Sequence, residues 1–212
     1  VTDANIMMTC LLDFYPKEFS TEEYKSGQSF LKHSNIYDKM TTDTIFTEIQ
    51  DDNARVIKGG VRHRITDTGP PNNDSHCLTK KSFFKYDFYD SHRLTVGMHW
   101  MIPLGFTNWE DFTGKWEISN KKLRFYDEMC VLGHFKYLKP NVFEHFKERV
   151  RRDEDWEGSV EYKKYLEHKH DSFFDSDVSM KYVNQEEVYA NTIDRINKSI
   201  EREIREDILE KN

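Results

Sequence analysis

Apolar residues along this chain come in three rhythms. An unbroken run from Ile6 to Leu12 (IMMTCLL), halted by Pro16, predicts a buried strand or a short buried segment. Thr44 to Ile49 (TIFTEI) alternates, which predicts a second strand. ARVIKGGVRHRIT then sets two β-rich arms around Gly59-Gly60, the pattern of a β-hairpin over 54–66 whose two-residue turn accepts positive φ. In that register Arg55, Arg62 and Arg64 share one face around Ile57. Val56, Val61 and Ile65 share the other with Lys58 and His63. Gly69 to Ser75 (GPPNNDS) reads as a loop and marks an internal boundary near Asp74.

The third rhythm is helical. Leu123, Tyr126, Cys130, Gly133 and Tyr137 recur at steps of three and four, predicting a helix over 120–139 capped by Ser119 or Asn120 and stopped by Pro140. Asn141 with Glu144 opens another helix, with Phe143, Phe146 and Val150 on one side, and Ser159 starts a further one. Asn184 with Glu187 caps a long terminal helix over 185–211. Its stripe of Tyr189, Ile193, Ile196, Ile200, Ile204 and Ile208 is narrow, the shape of a seam lying on one partner helix. Between these rhythms, Ser82 to Trp116 is crowded with aromatics. The expected fold is α+β. A small β-containing N-terminal part (1–74) leads to an aromatic-rich centre (75–140) and a charged, mainly α-helical C-terminal region (141–212). The three parts are read as one continuous structural unit.

Composition changes this picture in two ways. Of the 212 residues 37% are hydrophobic and 33% charged, yet 14% are aromatic, too many for disorder. Large aromatics on a polar chain suit a protein that anchors on neighbours, with Trp100, Trp109 and Trp116 as candidate anchors. The net charge of -7 is lopsided: Asn141 to Asn212 holds 13 basic against 19 acidic residues. That acidic balance argues against wholesale nucleic-acid or anionic-membrane binding, which needs a basic footprint.

Cys10, Cys77 and Cys130 form no CxxC and no even-numbered framework, which fits an intracellular, reducing compartment. No apolar run approaches the roughly 20 residues of a membrane-spanning helix. A start at Val1 is compatible with an organelle, such as the mitochondrion, after removal of a leader. TCLLDFYPKEF resembles the opening of constant-type immunoglobulin domains. The next segment, STEEYKSG, lacks the expected Trp, and Cys77 follows no tyrosine-corner pattern, so that fold is set aside.

Three constellations carry candidate chemistry. Cys130 and His134, four apart on a helix, would face the same way as two metal ligands, with His76-Cys77 or His168/His170 to complete a shell. Arg55, Arg62 and Arg64 on one sheet face could grip phosphate or carboxylate, unless acids of the same chain answer them. The isoleucines of the terminal stripe, Ile193, Ile196, Ile200, Ile204 and Ile208, could dock on another subunit. GxSxG, GxGxxG, Walker A and HExxH are all missing, and no cofactor is implied. The leading expectation is therefore a non-catalytic accessory or scaffold subunit whose partners are other protein subunits. The alternatives are a metal-dependent hydrolase or nuclease using scattered His, Asp and Cys, and a phosphate- or nucleic-acid-binding module built on the arginines.

Overall fold

A computed structural model describes residues 6–19, 24–50, 54–67, 69–72, 75–84, 126, 128–153, 156–167 and 172–210. The chain mixes strands and helices. In order come β1 (Ile6–Asp13), α1 (Phe30–His33), β2 (Ile36–Asp38), β3 (Ile45–Gln50), β4 (Ala54–Gly59), α2 (Gly60–Thr66) and β5 (Thr79–Phe84). There follow β6 (Cys130–His134), α3 (Val142–Arg152), α4 (Trp156–Glu167), β7 (Ser179–Lys181), α5 (Gln185–Asn191) and α6 (Ile193–Glu210).

The apolar run forms β1, the middle strand of a three-stranded sheet ordered β5-β1-β6. Its residues from Met8 to Asp13 are all buried, on both faces, which is why the run is continuous rather than alternating. β5 pairs with it antiparallel and β6 parallel. Two small antiparallel ribbons, β2-β7 and β3-β4, complete the β structure among the described residues. The pairings of β1 with β5 and β6, and of β2 with β7, cross the expected boundary near Asp74.

Several sequence expectations are overturned. Residues 130–134, placed in the helix over 120–139, form strand β6. The hairpin over 54–66 does not form: β4 pairs backwards with β3, and the arm after the glycines is helix α2. The glycines do take positive φ, 118° at Gly59 and 71° at Gly60, but they turn the chain from strand into helix. A Cβ on Gly59 would lie 2.5 Å from the Thr44 carbonyl oxygen, so the turn admits no side chain there. Val61 and Ile65, four apart, bury together as a helical pair.

The terminal helix is likewise two helices, broken at buried Thr192, whose Oγ1 donates to the Val188 carbonyl at 2.6 Å. Its expected cap does form: Asn184 Oδ1 accepts from the Glu187 amide at 2.8 Å. By contrast, Asn141 sits left-handed before α3 (φ 50°) and makes no side-chain cap. Ser159, the expected start of the next helix, lies inside α4.

Two apolar cores result. The first packs β1 against Tyr37, Met40, Ile45, Ile57, Val188, Ile193, Ile196 and Ile200. The second is aromatic, with Tyr15, Tyr137, Phe146, Tyr165 and Phe173 beside Val61 and Ile65. Among the described residues no helix is long and apolar enough to cross a membrane.

Candidate functional site

Asp13 ends β1 as the one charged residue between Ile6 and Pro16, and its side chain is 2% exposed. A carboxylate so deep must be paired, because desolvation alone would cost several kcal/mol (roughly, after relaxation of the surroundings). Two elements supply the partners. The parallel register of β1 and β6 sets His134 directly beside Asp13. There the imidazole Nδ1 lies 2.5 Å from Asp13 Oδ1. From the other side α2 delivers Arg62, whose Nε donates to Asp13 Oδ2 at 2.8 Å. Burial by itself would raise the Asp13 proton affinity. The Arg62 guanidinium and then the His134 contact more than offset it, holding the carboxyl well below the usual range.

This geometry fixes the histidine. An ionised carboxylate only accepts, so Nδ1 of His134 carries the proton, and in the neutral ring Nε2 keeps its lone pair. The His134 side chain is 38% exposed, against 2% for Asp13. Among the described residues no hydrogen bond engages Nε2. A buried acid thus holds a half-exposed imidazole in one tautomer, the arrangement by which a general base is oriented.

A second polar group adjoins the first. Lys136, two residues beyond His134, donates from Nζ to Glu161 Oε1 of α4 at 2.6 Å. Tyr165 donates to the same oxygen, and its hydroxyl lies 3.2 Å from that of Tyr137. His76 Nε2 stands 3.9 Å from Glu161. Lys136 also lies over the rings of Tyr162 and Tyr165, at 4.8 and 5.0 Å from their centroids. Burial, helped by the repulsion of Arg62 and opposed by the attraction of Glu161, leaves the Lys136 proton affinity below its ordinary value. Glu161, despite its burial, is held down by Lys136.

The expected site residues fare differently. Arg62 and Arg64 are both answered from within the chain. Arg64 clasps Asp38 through Nε and Nη2 at 2.9 and 3.2 Å and also donates to the Phe173 carbonyl. That pair belongs to a structural knot in which Asp38 also accepts from Tyr15 and Ser179. The side chain of Arg55 lies outside the described residues, and the three arginines share no sheet face because α2 is a helix.

Cys130 and His134 are not brought together either. Four positions along a strand separate them by about 13 Å, where a helix would have stacked them. Instead Cys130 Sγ lies 3.6 Å from Met7 Sδ. Among the described residues no cluster of three or more His, Cys, Asp or Glu could hold a metal ion.

Ile193, Ile196 and Ile200 are buried in the chain's own first core. The side chains of Ile204 and Ile208, and all of Trp100, Trp109 and Trp116, lie outside the described residues. Sequence reasoning missed Asp13, Lys136 and Glu161. Only Asp13 left a signal, as a lone acid inside an apolar run.

No protein-family model matches this chain, and neither a curated protein nor a solved structure matches it.

Proposed function

We propose that the chain is a hydrolase in which His134, oriented by Asp13, acts as general base and then general acid. The observation that carries this reading is the contrast in exposure across the Asp13–His134 contact: the acid is sealed in the core while the imidazole reaches solvent. His134 would take a proton from an attacking water through Nε2, and Asp13 would steady the imidazolium that results. Asp13 is a positioning residue on this view, and His134 the catalytic one.

The test is turnover of chromogenic esters by the full chain, comparing wild type with His134→Gln. General acid–base groups contribute roughly 10²- to 10⁴-fold, so a loss in that range is expected. Unchanged turnover in His134→Gln, or none in wild type across acyl and phosphoryl esters, would sink the reading.

A second reading, the accessory subunit, draws support from β6. Among the described residues this is an outer strand of its sheet, with Leu132 39% exposed. An outer strand with an apolar residue on show can add a strand from a neighbour. The mass of the native species tests it: a chain that is monomeric both alone and when gently purified from its source has no such neighbour.

A further inference from the structure

Asp13 divides its two oxygens between two basic partners. Oδ1 meets Nδ1 of His134 at 2.5 Å, and Oδ2 accepts from Nε of Arg62 at 2.8 Å. The partners differ in setting. The Arg62 side chain is 9% exposed and stays charged throughout the working pH range, whereas the half-exposed imidazole of His134 can trade protons with solvent. Burial raises the proton affinity of the carboxyl, and the Arg62 charge is the largest single effect against it, ahead of the His134 contact.

That order has a chemical consequence. A carboxylate sealed in the interior needs a compensating charge. Were the imidazole its sole partner, the neutral ring would strand the acid, and the imidazolium would be gripped hard. With Arg62 in place the carboxylate is balanced whether the ring is charged or not. Lys80 of β5 and Lys136 also lie within electrostatic reach of Asp13, Lys136 being bound to Glu161 of α4 at 2.6 Å. Cys10 and Tyr137, near the same acid, stay neutral because burial pushes both up. As a fastening of the fold alone Arg62 is a poor one: among the described residues its buried Nη2 has no hydrogen-bond partner, which costs stability.

We infer that Arg62 is a positioning residue for the reaction: by holding the second oxygen of Asp13 it loosens the carboxylate's grip on the imidazolium, so that His134 can both take a proton and return it. The inference rests on the hydrolase reading for its catalytic meaning, though not for the electrostatic coupling. In ester hydrolysis the water oxygen bonds to the carbonyl carbon while Nε2 of His134 takes a water proton. The carbon–oxygen bond to the leaving alkoxide then breaks and Nε2 gives the proton to the alkoxide, so acid and alcohol leave and the enzyme is unchanged. An imidazolium gripped too firmly would be formed before the water arrived, and slow to give its proton back.

The midpoint of the His134 titration, read by NMR on the full chain, tests the coupling. Arg62→Met keeps the bulk but removes the charge, so the midpoint is expected to rise by about one pH unit or more, the effect of taking away a nearby like charge. Arg62→Lys keeps the charge and should move the midpoint far less. The acid limb of kcat/KM for p-nitrophenyl acetate should shift by the same amount as the midpoint, whereas a merely structural role would lower the whole profile without shifting it. If circular dichroism shows that Arg62→Met has not folded, Asp13→Asn combined with Arg62→Met, set against Asp13→Asn alone, reads the same charge, and the double variant should have the higher midpoint. An unshifted midpoint in the folded variant, or a rise in Arg62→Lys equal to that in Arg62→Met, overturns the inference. The two proposals fail separately. A shifted midpoint without ester turnover keeps the coupling and removes the hydrolase. His134-dependent turnover with an unshifted midpoint does the reverse.

Discussion

Replacing Asp13 by Asn tests whether the buried cluster is held by charge. The two side chains in question are 2% and 9% exposed, so water does little to screen them. Asn preserves shape and one acceptor oxygen but removes the negative charge, leaving the Arg62 guanidinium uncompensated in the interior. Removing one member of a buried pair costs about 3–5 kcal/mol, about a fifth or more of the total for a domain whose stability lies near 5–15 kcal/mol. Urea unfolding followed by circular dichroism measures the loss directly.

The source of the loss can be separated. Asp13→Asn combined with Arg62→Met removes the stranded charge, so the double variant should be more stable than Asp13→Asn alone. The pH dependence has a definite sign. Asp13 has a depressed proton affinity when folded, so its contribution is fully present above its unfolded pKa of about 4 and is lost as pH falls below that, because the unfolded chain then takes up a proton the folded chain refuses. The gap between wild type and Asp13→Asn should therefore narrow from about pH 4 downward. A cost under about 1 kcal/mol at pH 7, typical of an exposed pair, would refute the reasoning.

Three further outcomes follow from the same structure. Gly59→Ala must fit a Cβ 2.5 Å from a backbone oxygen at φ 118°, so it should cost about 2 kcal/mol or more, read as a lowered thermal midpoint. Ile196→Ala empties a site that is 0% exposed in the first core and should cost about 2–5 kcal/mol in denaturant unfolding; a loss below about 1 kcal/mol would show that α6 does not pack there. Under a thiol reagent at neutral pH, exposed Cys130 should react first, while Cys10, sealed at 0% exposure with its thiol pushed up by burial, should react only on unfolding. Mass mapping of the labelled peptides decides the order.

What was legible in the sequence was whatever depends on near neighbours. The run Ile6 to Leu12 predicts a buried strand or short buried segment and forms β1, and Thr44 to Ile49 predicts a second strand and forms β3. Asn184 and Glu187 gave the start of α5 because a cap needs only four residues of context. What failed depended on distant partners. The apolar residues around Cys130 fit a helical period by abundance alone. The decision fell to β1, which offered a parallel edge to β6 across 121 residues of chain. At Gly59-Gly60 the need for positive φ was read correctly, but Val61 and Ile65 suit a helical face as well as a strand. The availability of β3 as a partner for β4 settled the matter.

The charges mislead for the same reason, and with more consequence for function. With half of the acidic residues in the last third of the chain, the arginines of α2 look set to be answered from there. Instead their closest carboxylates are Asp13 and Asp38, at the ends of β1 and β2; among the described acidic residues of the C-terminal region Asp175 reaches Arg64 at 3.9 Å. Arg64 with Asp38 closes a knot between α2, β2 and the chain before β7, with several partners satisfied on both sides, which is what a structural pair needs. Arg62 with Asp13 is built differently. The carboxylate is shared with an imidazole that faces solvent, and among the described residues Nη2 of the guanidinium has no hydrogen-bond partner. Two ion pairs two residues apart on one short helix thus divide: the Arg64–Asp38 pair fastens the fold, and the Arg62–Asp13 pair also holds the half-exposed imidazole of His134.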